Sequence, residues 1–173
     1  MKTINSTLLT LIIILTTNTL VISQEIKADS ALQKNMRQIA FMEGQWEGSG
    51  WMMGPDRKKH EFVQTENISY KLDGTALLIE GRGVNNGLVI HDALAIINYD
   101  KEKGHYNFRS YLRNGRSGDY KAEIMDDKLF WYPSSFLRYI ITINENGQWY
   151  EIGEINKDGN WYQFFEMTLT KNE

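Results

Sequence analysis

Polar and charged side chains recur at alternate positions in two segments, and this spacing could place them together in a binding site. The residues are Asn107, Arg109, Tyr111 and Arg113 in one segment and Glu80 and Arg82 in an earlier one. Residues two apart share one face of a β-strand. Facing inward, they would orient the polar end of an amphipathic ligand such as a fatty acid or similar small carboxylate. Facing outward, they would form solvated cross-strand ion pairs that each stabilise little, and the alternate residues from Tyr106 to Leu112 would fill the interior.

Other chemistry-bearing residues form no recognisable catalytic or metal-binding pattern. The three histidines, His60, His91 and His105, lie far apart in the sequence, and no cysteine is present. Carboxylates are dispersed over many segments and suit a wet outer face. They include Glu80, Glu123, Glu151, Glu154 and Glu166. We therefore predict no metal site, assign no catalytic residue and leave enzymatic activity open. The candidate ligand-binding residues are Trp51, Glu80, Arg82, His91, Arg109 and Tyr111.

The first residues are typical of export. Residues 1–23 contain Lys2, an apolar stretch from Leu8 to Ile22 and a small residue, Ser23, which together predict a cleaved signal peptide and a secreted or periplasmic protein. The alternative is an uncleaved N-terminal anchor. The net charge of −3 becomes −4 when Lys2 is removed with the signal. Such mild acidity argues against a nucleic-acid partner, and no membrane association is expected after cleavage.

Ten short runs with strand-like composition follow, each ended by a turn signal. The predicted strands are 45–53, 59–70, 76–84, 89–99, 106–113, 119–125, 128–132, 137–144, 149–156 and 161–170. Links of two to six residues force neighbouring strands to run antiparallel, so we predict an all-β fold, a closed up-and-down barrel.

Before the strands, Asp29 or Ser30 can cap a short helix that reaches about Ala40. We therefore predict a leader with this helix at 24–41 and a barrel domain at 42–173. The helix would lie across a barrel mouth, or over the outer face of Ala93 to Ile97, where both strand faces are apolar. The alternative is a partly ordered, exposed leader.

The segment from Phe41 to Trp51 resembles the opening strand of the calycin superfamily, in which Gly-x-Trp begins a lipocalin-like barrel. Its pattern Gly44-x-Trp46-x-Gly48-x-Gly50 is more similar to the nitrobindin-like branch and to secreted bacterial barrels of unknown function. The stretches 98–100 and 104–106, Asn-Tyr-Asp and Gly-His-Tyr, resemble the same barrels.

The resemblance carries expectations about individual residues. It implies that Trp46 plugs one end of the barrel, and that the alternating glycines accept close backbone contact. Lipocalins pair this Trp with a basic residue near the last strand, whereas the only candidate in that region here is Lys171, so the narrow lipocalin family is not the expected one. Nitrobindin-like proteins hold haem through a histidine near the C-terminus, whereas the last histidine here is His105, so no haem or other cofactor is expected.

These observations predict an exported barrel that binds a small hydrophobic or amphipathic molecule without transforming it. One alternative is a barrel isomerase or hydrolase that uses the same charged cluster. Another is a protein-interaction module with a filled interior and an aromatic outer patch.

Overall fold

The computed structural model describes residues 25–172. The stretch from Gly44 to Lys171 forms ten strands. The strands are β1 Gly44–Met53, β2 Lys59–Lys71, β3 Ala76–Asn85, β4 Leu88–Asp100, β5 His105–Leu112, β6 Ser117–Met125, β7 Lys128–Ser134, β8 Leu137–Ile143, β9 Trp149–Lys157 and β10 Asn160–Lys171. The predicted signal peptide lies outside the described residues. No helix within residues 25–172 is both long and apolar enough to cross a bilayer.

Each strand pairs antiparallel with the next, and β1 also pairs with β10 to close the sheet into a barrel. The predicted up-and-down barrel is therefore confirmed. Several links are two-residue turns in which both residues have positive φ, as tight hairpins require. They are Asn86-Gly87, Asp126-Asp127 and Asp158-Gly159. Closure removes the unpaired edges that an open sheet would expose.

The N-terminal segment closes one end of the barrel. Helix α1, Ser30–Met36, is capped by Asp29, whose carboxylate accepts hydrogen bonds from the backbone N–H groups of Ala31 and Leu32. A 3₁₀ segment, Arg37–Met42, continues it, with a non-helical kink at Ile39. The predicted short helix is thus confirmed, but its second half is 3₁₀.

Apolar packing and two tyrosine hydroxyls hold this cap on the barrel. Met36, Ile39 and Met42 are fully buried beneath the strands. The hydroxyl of Tyr70 donates to the Met36 carbonyl at 2.6 Å, and that of Tyr106 donates to the Asn35 carbonyl at 2.8 Å. We call this closed end the floor and the opposite end the mouth.

Trp46 fills the floor, as predicted. Its indole N–H donates to the Met42 carbonyl at 2.8 Å, and its ring meets Trp149 edge-on with centroids 5.9 Å apart. The Nζ of Lys171 lies 5.3 Å from the Trp46 ring centroid. A Cβ at position 48 would collide with the Thr168 carbonyl oxygen, so glycine is required there for β1 and β10 to approach.

The cap leaves the outer face of β4 uncovered. Leu94 and Ile96 are exposed there. The expectation that the helix covers this face is therefore wrong, because the apolar side of the cap packs into the barrel end and leaves none for the outer wall.

Candidate ligand-binding cavity

The barrel is filled near the floor and hollow towards the mouth. Its interior contains a chamber of about 300 Å³ adjoining a smaller one of about 90 Å³. Both chambers are lined by Glu66, His91 and Glu151. The larger also touches Met52, Phe62, Gln64, Ile90, Tyr139, Phe165 and Met167. Apolar walls with a few polar groups are typical of small-molecule sites.

Two buried carboxyl groups line both chambers of this interior, from strands that lie three apart around the barrel. Glu66 on β2 is 8% exposed, and Glu151 on β9 is 6% exposed. Burial raises the pKa of Glu66 to about 7, opposed by a hydrogen bond from the Gln64 amide. Burial, followed by the charge of Glu66, raises the pKa of Glu151 to about 8. The repulsion is mutual, so the two groups titrate as a pair near neutral pH.

The hydrogen bonds around the pair are incomplete. Gln64 Nε2 donates to Glu66 Oε1 at 2.7 Å, and Trp149 Nε1 donates to Glu151 Oε2 at 3.2 Å. Glu66 Oε2 is buried and has no partner among the described residues. The Trp131 indole N–H is near enough to lower the pKa of Glu151, yet it is without an acceptor in normal geometry. Unsatisfied buried groups of this kind are costly and call for an explanation.

Room for the Glu66 carboxylate comes from the neighbouring strand. Gly81 on β3 pairs directly with Glu66, and a Cβ at that position would lie 2.7 Å from both carboxylate oxygens. Any larger residue would push the carboxylate from its place.

Stacked aromatic rings form one wall of the interior. Trp131 lies between Phe108 and Tyr139, with centroid distances of 4.6 and 4.5 Å and nearly parallel planes. Burial, followed by the charge of Glu151, raises the pKa of Tyr139. Tyr139 is therefore uncharged at neutral pH, and this wall supplies apolar area and ring faces.

A bulge shapes the mouth beside His91. Gly83 pairs with His91 and Val84 with Val89, so Ile90 is an extra residue on β4, and it lines the larger chamber. Bulges often re-aim side chains at barrel rims. Solvent reaches the His91 ring from the mouth. Protein atoms nevertheless surround enough of the ring for burial to lower its pKa against the charge of Asp92.

Of the candidate residues from the sequence, His91 lies in this cavity and the other five lie on the outer face. Arg109 pairs with Asp119, with Nε and Oδ1 2.6 Å apart. Glu80 accepts from the Asn67 amide at 3.0 Å. Glu80, Arg82 and Tyr111 share an outer concavity of about 500 Å³. Tyr106, Phe108 and their neighbours fill the interior on the other face of β5. The structure therefore has the alternative in which Arg109 and Tyr111 face outward.

Trp51 occupies a second outer concavity, of about 770 Å³, over β1, β2 and β10. Its indole N–H donates to Glu166 Oε1 at 3.4 Å, and Lys59 Nζ lies 3.6 Å from its ring centroid. This concavity is larger than the interior chambers but open and mainly polar. The enclosed interior is the better candidate, because enclosure removes a ligand from water.

Neither Glu66 nor Gln64 is among the site residues predicted from the sequence, and the prediction for Glu151 was a wet outer face. That placement of Glu151 is wrong, because Trp149, Glu151 and Gly153 form the inward face of β9. A signal for Glu66 did exist: Gln64 and Glu66 interrupt the apolar side of β2 between Phe62 and Ile68. For Glu151 there was none, since β9 carries large apolar residues on both faces. Within residues 25–172, no cluster of three His, Cys, Asp or Glu could hold a metal ion.

Fold and cavity together define a closed ten-strand antiparallel barrel with paired carboxyl groups inside. The fold is similar to the crystal structure of Rv2717c from M. tuberculosis, with a TM-score of 0.58 and 11% identity over 80% of this chain and 97% of that chain. At this identity the likeness shows the fold alone. No protein-family model matches the chain, and no curated protein matches its sequence.

Proposed function

We propose that this protein is an exported calycin-like barrel that binds a small hydrophobic or amphipathic molecule in its interior without transforming it. The observation that carries the proposal is the chamber of about 300 Å³, which opens at the mouth and is walled by aromatic and apolar side chains. Lys171 over Trp46 supports the calycin-like assignment, since lipocalins pair the opening Trp with a basic residue near the last strand.

Exposed apolar side chains around the mouth support ligand entry there. Ile90 is 57% exposed, and Met52 is also exposed. Both line the larger chamber. An apolar molecule would contact this rim before it reaches the interior, and its transfer from water would supply most of the binding free energy.

A fluorescence titration with the uncharged probe N-phenyl-1-naphthylamine tests the proposal. We expect saturable binding with one probe per barrel. Ile90→Trp should obstruct the mouth and weaken binding at least tenfold. Ile96→Trp, on the outer face of the same strand, is the matched control and should leave binding unchanged. No saturable binding, or equal binding by both variants, would refute an interior site. Once saturable binding is established, native mass spectrometry of protein from its own host identifies the natural cargo by its mass.

The paired carboxyl groups also favour a second candidate, a barrel enzyme that uses acid–base chemistry. Buried acids with pKa values near neutrality are frequent at catalytic sites. The residues concerned would be Glu66 and Glu151, and not the outer cluster that the sequence suggested. Turnover of a bound natural cargo that is lost in Glu66→Gln would establish this alternative and refute binding without transformation.

A further inference from the structure

We propose that the ligand of this cavity is a protonated amine with an apolar body, held at its nitrogen by Glu66 and Glu151. This inference rests on the proposed function and names the class of ligand. Within residues 25–172, the side chains lining the two chambers include two carboxylic acids but no lysine or arginine. The walls are therefore neutral or negative, and a cation is the complementary charge.

The unpartnered oxygen of Glu66 points to a hydrogen-bond donor. Glu66 lines both chambers, is more than nine-tenths buried, and leaves Oε2 without a partner among the described residues. A buried carboxylate without a donor is costly, and a charged donor offsets that cost best. An ammonium group has three N–H donors, enough for Glu66 Oε2 and for Glu151, which lines the same two chambers.

The aromatic wall favours the same charge. Phe108, Trp131 and Trp149 line the smaller chamber together with both carboxyl groups. Aromatic ring faces attract ammonium groups, most strongly where water is excluded. Phe62, Phe165 and Met167 line the larger chamber, which opens at the mouth. The amine would therefore lie deep in the barrel, with its apolar body extending towards the mouth.

A carboxylate ligand lacks a partner in this interior. His91 is the one basic side chain among the described residues that line the chambers, and its lowered pKa keeps it neutral at pH 7 and above. Lys171 is exposed. In the sheet, Trp46 pairs with Lys171 on one side and with Glu66 on the other, so Trp46 lies between the two. The fatty-acid type of ligand that the outer arginines suggested would thus find no cation inside, and it would meet negative charge once the pair ionises.

Amine binding should depend on pH, because the ammonium needs ionised carboxylates. The titratable groups that face the pair are His91 on β4 and Tyr139 on β8, and both are neutral between pH 7 and 9. At pH 6 the pair retains its protons, whereas at pH 9 both acids are ionised. An alkylamine, with a pKa of about 10.4 like that of lysine, is still protonated at pH 9. Its affinity should therefore rise from pH 6 to pH 9.

The experiment compares three probes with one eight-carbon chain: octylamine, octan-1-ol and octanoate. Isothermal titration calorimetry at pH 8.5 should give octylamine at least about tenfold higher affinity than octanol, a difference of about 1.4 kcal/mol. Octanoate should bind more weakly than octanol. At pH 6 the preference for octylamine should largely disappear. The double variant Glu66→Gln/Glu151→Gln should bind octanol and octylamine equally. Glu80→Gln, an outer-face control, should keep the preference.

Each outcome distinguishes this inference from the proposed function. Octanol and N-phenyl-1-naphthylamine binding without an amine preference would refute the ammonium ligand but leave the interior site standing. An amine preference that survives in the double variant would also refute it, since the carboxyl pair would not be its cause. No binding of any probe would refute both proposals. The pH dependence of the unaltered protein keeps the test decisive even if a variant fails to fold.

Discussion

Glu151→Gln should stabilise the folded protein at neutral pH, although it removes a buried group that accepts a hydrogen bond. The ordinary pKa of a glutamic acid is 4.5, and in the folded barrel that of Glu151 is about 8. Between these values the folded state binds more protons than the unfolded chain. The free energy of unfolding therefore falls as pH rises through this window. The cost is absent below about pH 4 and complete above about pH 8.

The magnitude follows from the two pKa values of Glu151. At pH 7 the carboxyl is ionised in the unfolded chain and largely protonated in the folded barrel. This difference lowers the free energy of unfolding by about 3 kcal/mol, at about 1.36 kcal/mol for each pH unit above the ordinary pKa. Glutamine is neutral at every pH, and its amide oxygen can still accept from Trp149. The variant should therefore be about 3 kcal/mol more stable at pH 7, about 1 kcal/mol at pH 5 and equal to the parent at pH 4.

Urea unfolding followed by tryptophan fluorescence from pH 4 to 8.5 measures this difference. In a thermal unfolding scan at pH 7, the melting temperature of the Glu151→Gln variant should exceed that of the parent by about 6 to 12 °C. Glu154→Gln is the matched control on the outer face of the same strand. It removes an ion pair in which Arg138 Nε lies 2.7 Å from the carboxylate, so it should not stabilise. A Glu151→Gln protein that is no more stable than the parent at pH 7, or whose gain is independent of pH, would refute the reasoning.

Two further predictions address the cap and the outer face. Ile39→Ala should lower the free energy of unfolding by about 2 to 5 kcal/mol in urea, because Ile39 is fully buried under the barrel end; a loss below about 1 kcal/mol would show that the cap contributes little. Arg109→Ala removes an exposed, solvent-screened ion pair and should leave the free energy of unfolding almost unchanged by the same assay, without changing the affinity for N-phenyl-1-naphthylamine; a tenfold loss of affinity would instead implicate the outer face in binding.

The strands were predictable from the sequence because their signals are local. Turn residues such as Asn86-Gly87 and Asp158-Gly159 adopt positive φ from their own chemistry, and they mark strand ends wherever they occur. Short links then force antiparallel neighbours. Trp46 was also predictable as the floor, through its place in the Gly-x-Trp pattern. A local detail that differs is the helix, whose second half tightens to 3₁₀ around Ile39 at the barrel end.

The candidate site was much less predictable, because a strand pattern separates two faces without saying which is inside. On β5 both faces carry aromatic residues, so Arg109 and Tyr111 matched an inward face as well as an outward one. On β9 the same ambiguity hid Glu151 among large apolar neighbours. Glu66 was detectable as a polar interruption of an apolar face, but its partner lies 85 positions away in the chain.

Periodicity and turn chemistry, which act over a few residues, were enough to define ten strands, their order and their antiparallel sense. The acid pair arises differently, since closure of β1 against β10 places β2 and β9 only three strands apart around one interior. Desolvation and repulsion between two carboxyl groups depend on that distant approach. The raised pKa values, and with them the ligand chemistry proposed for the cavity, are therefore properties of the closed barrel.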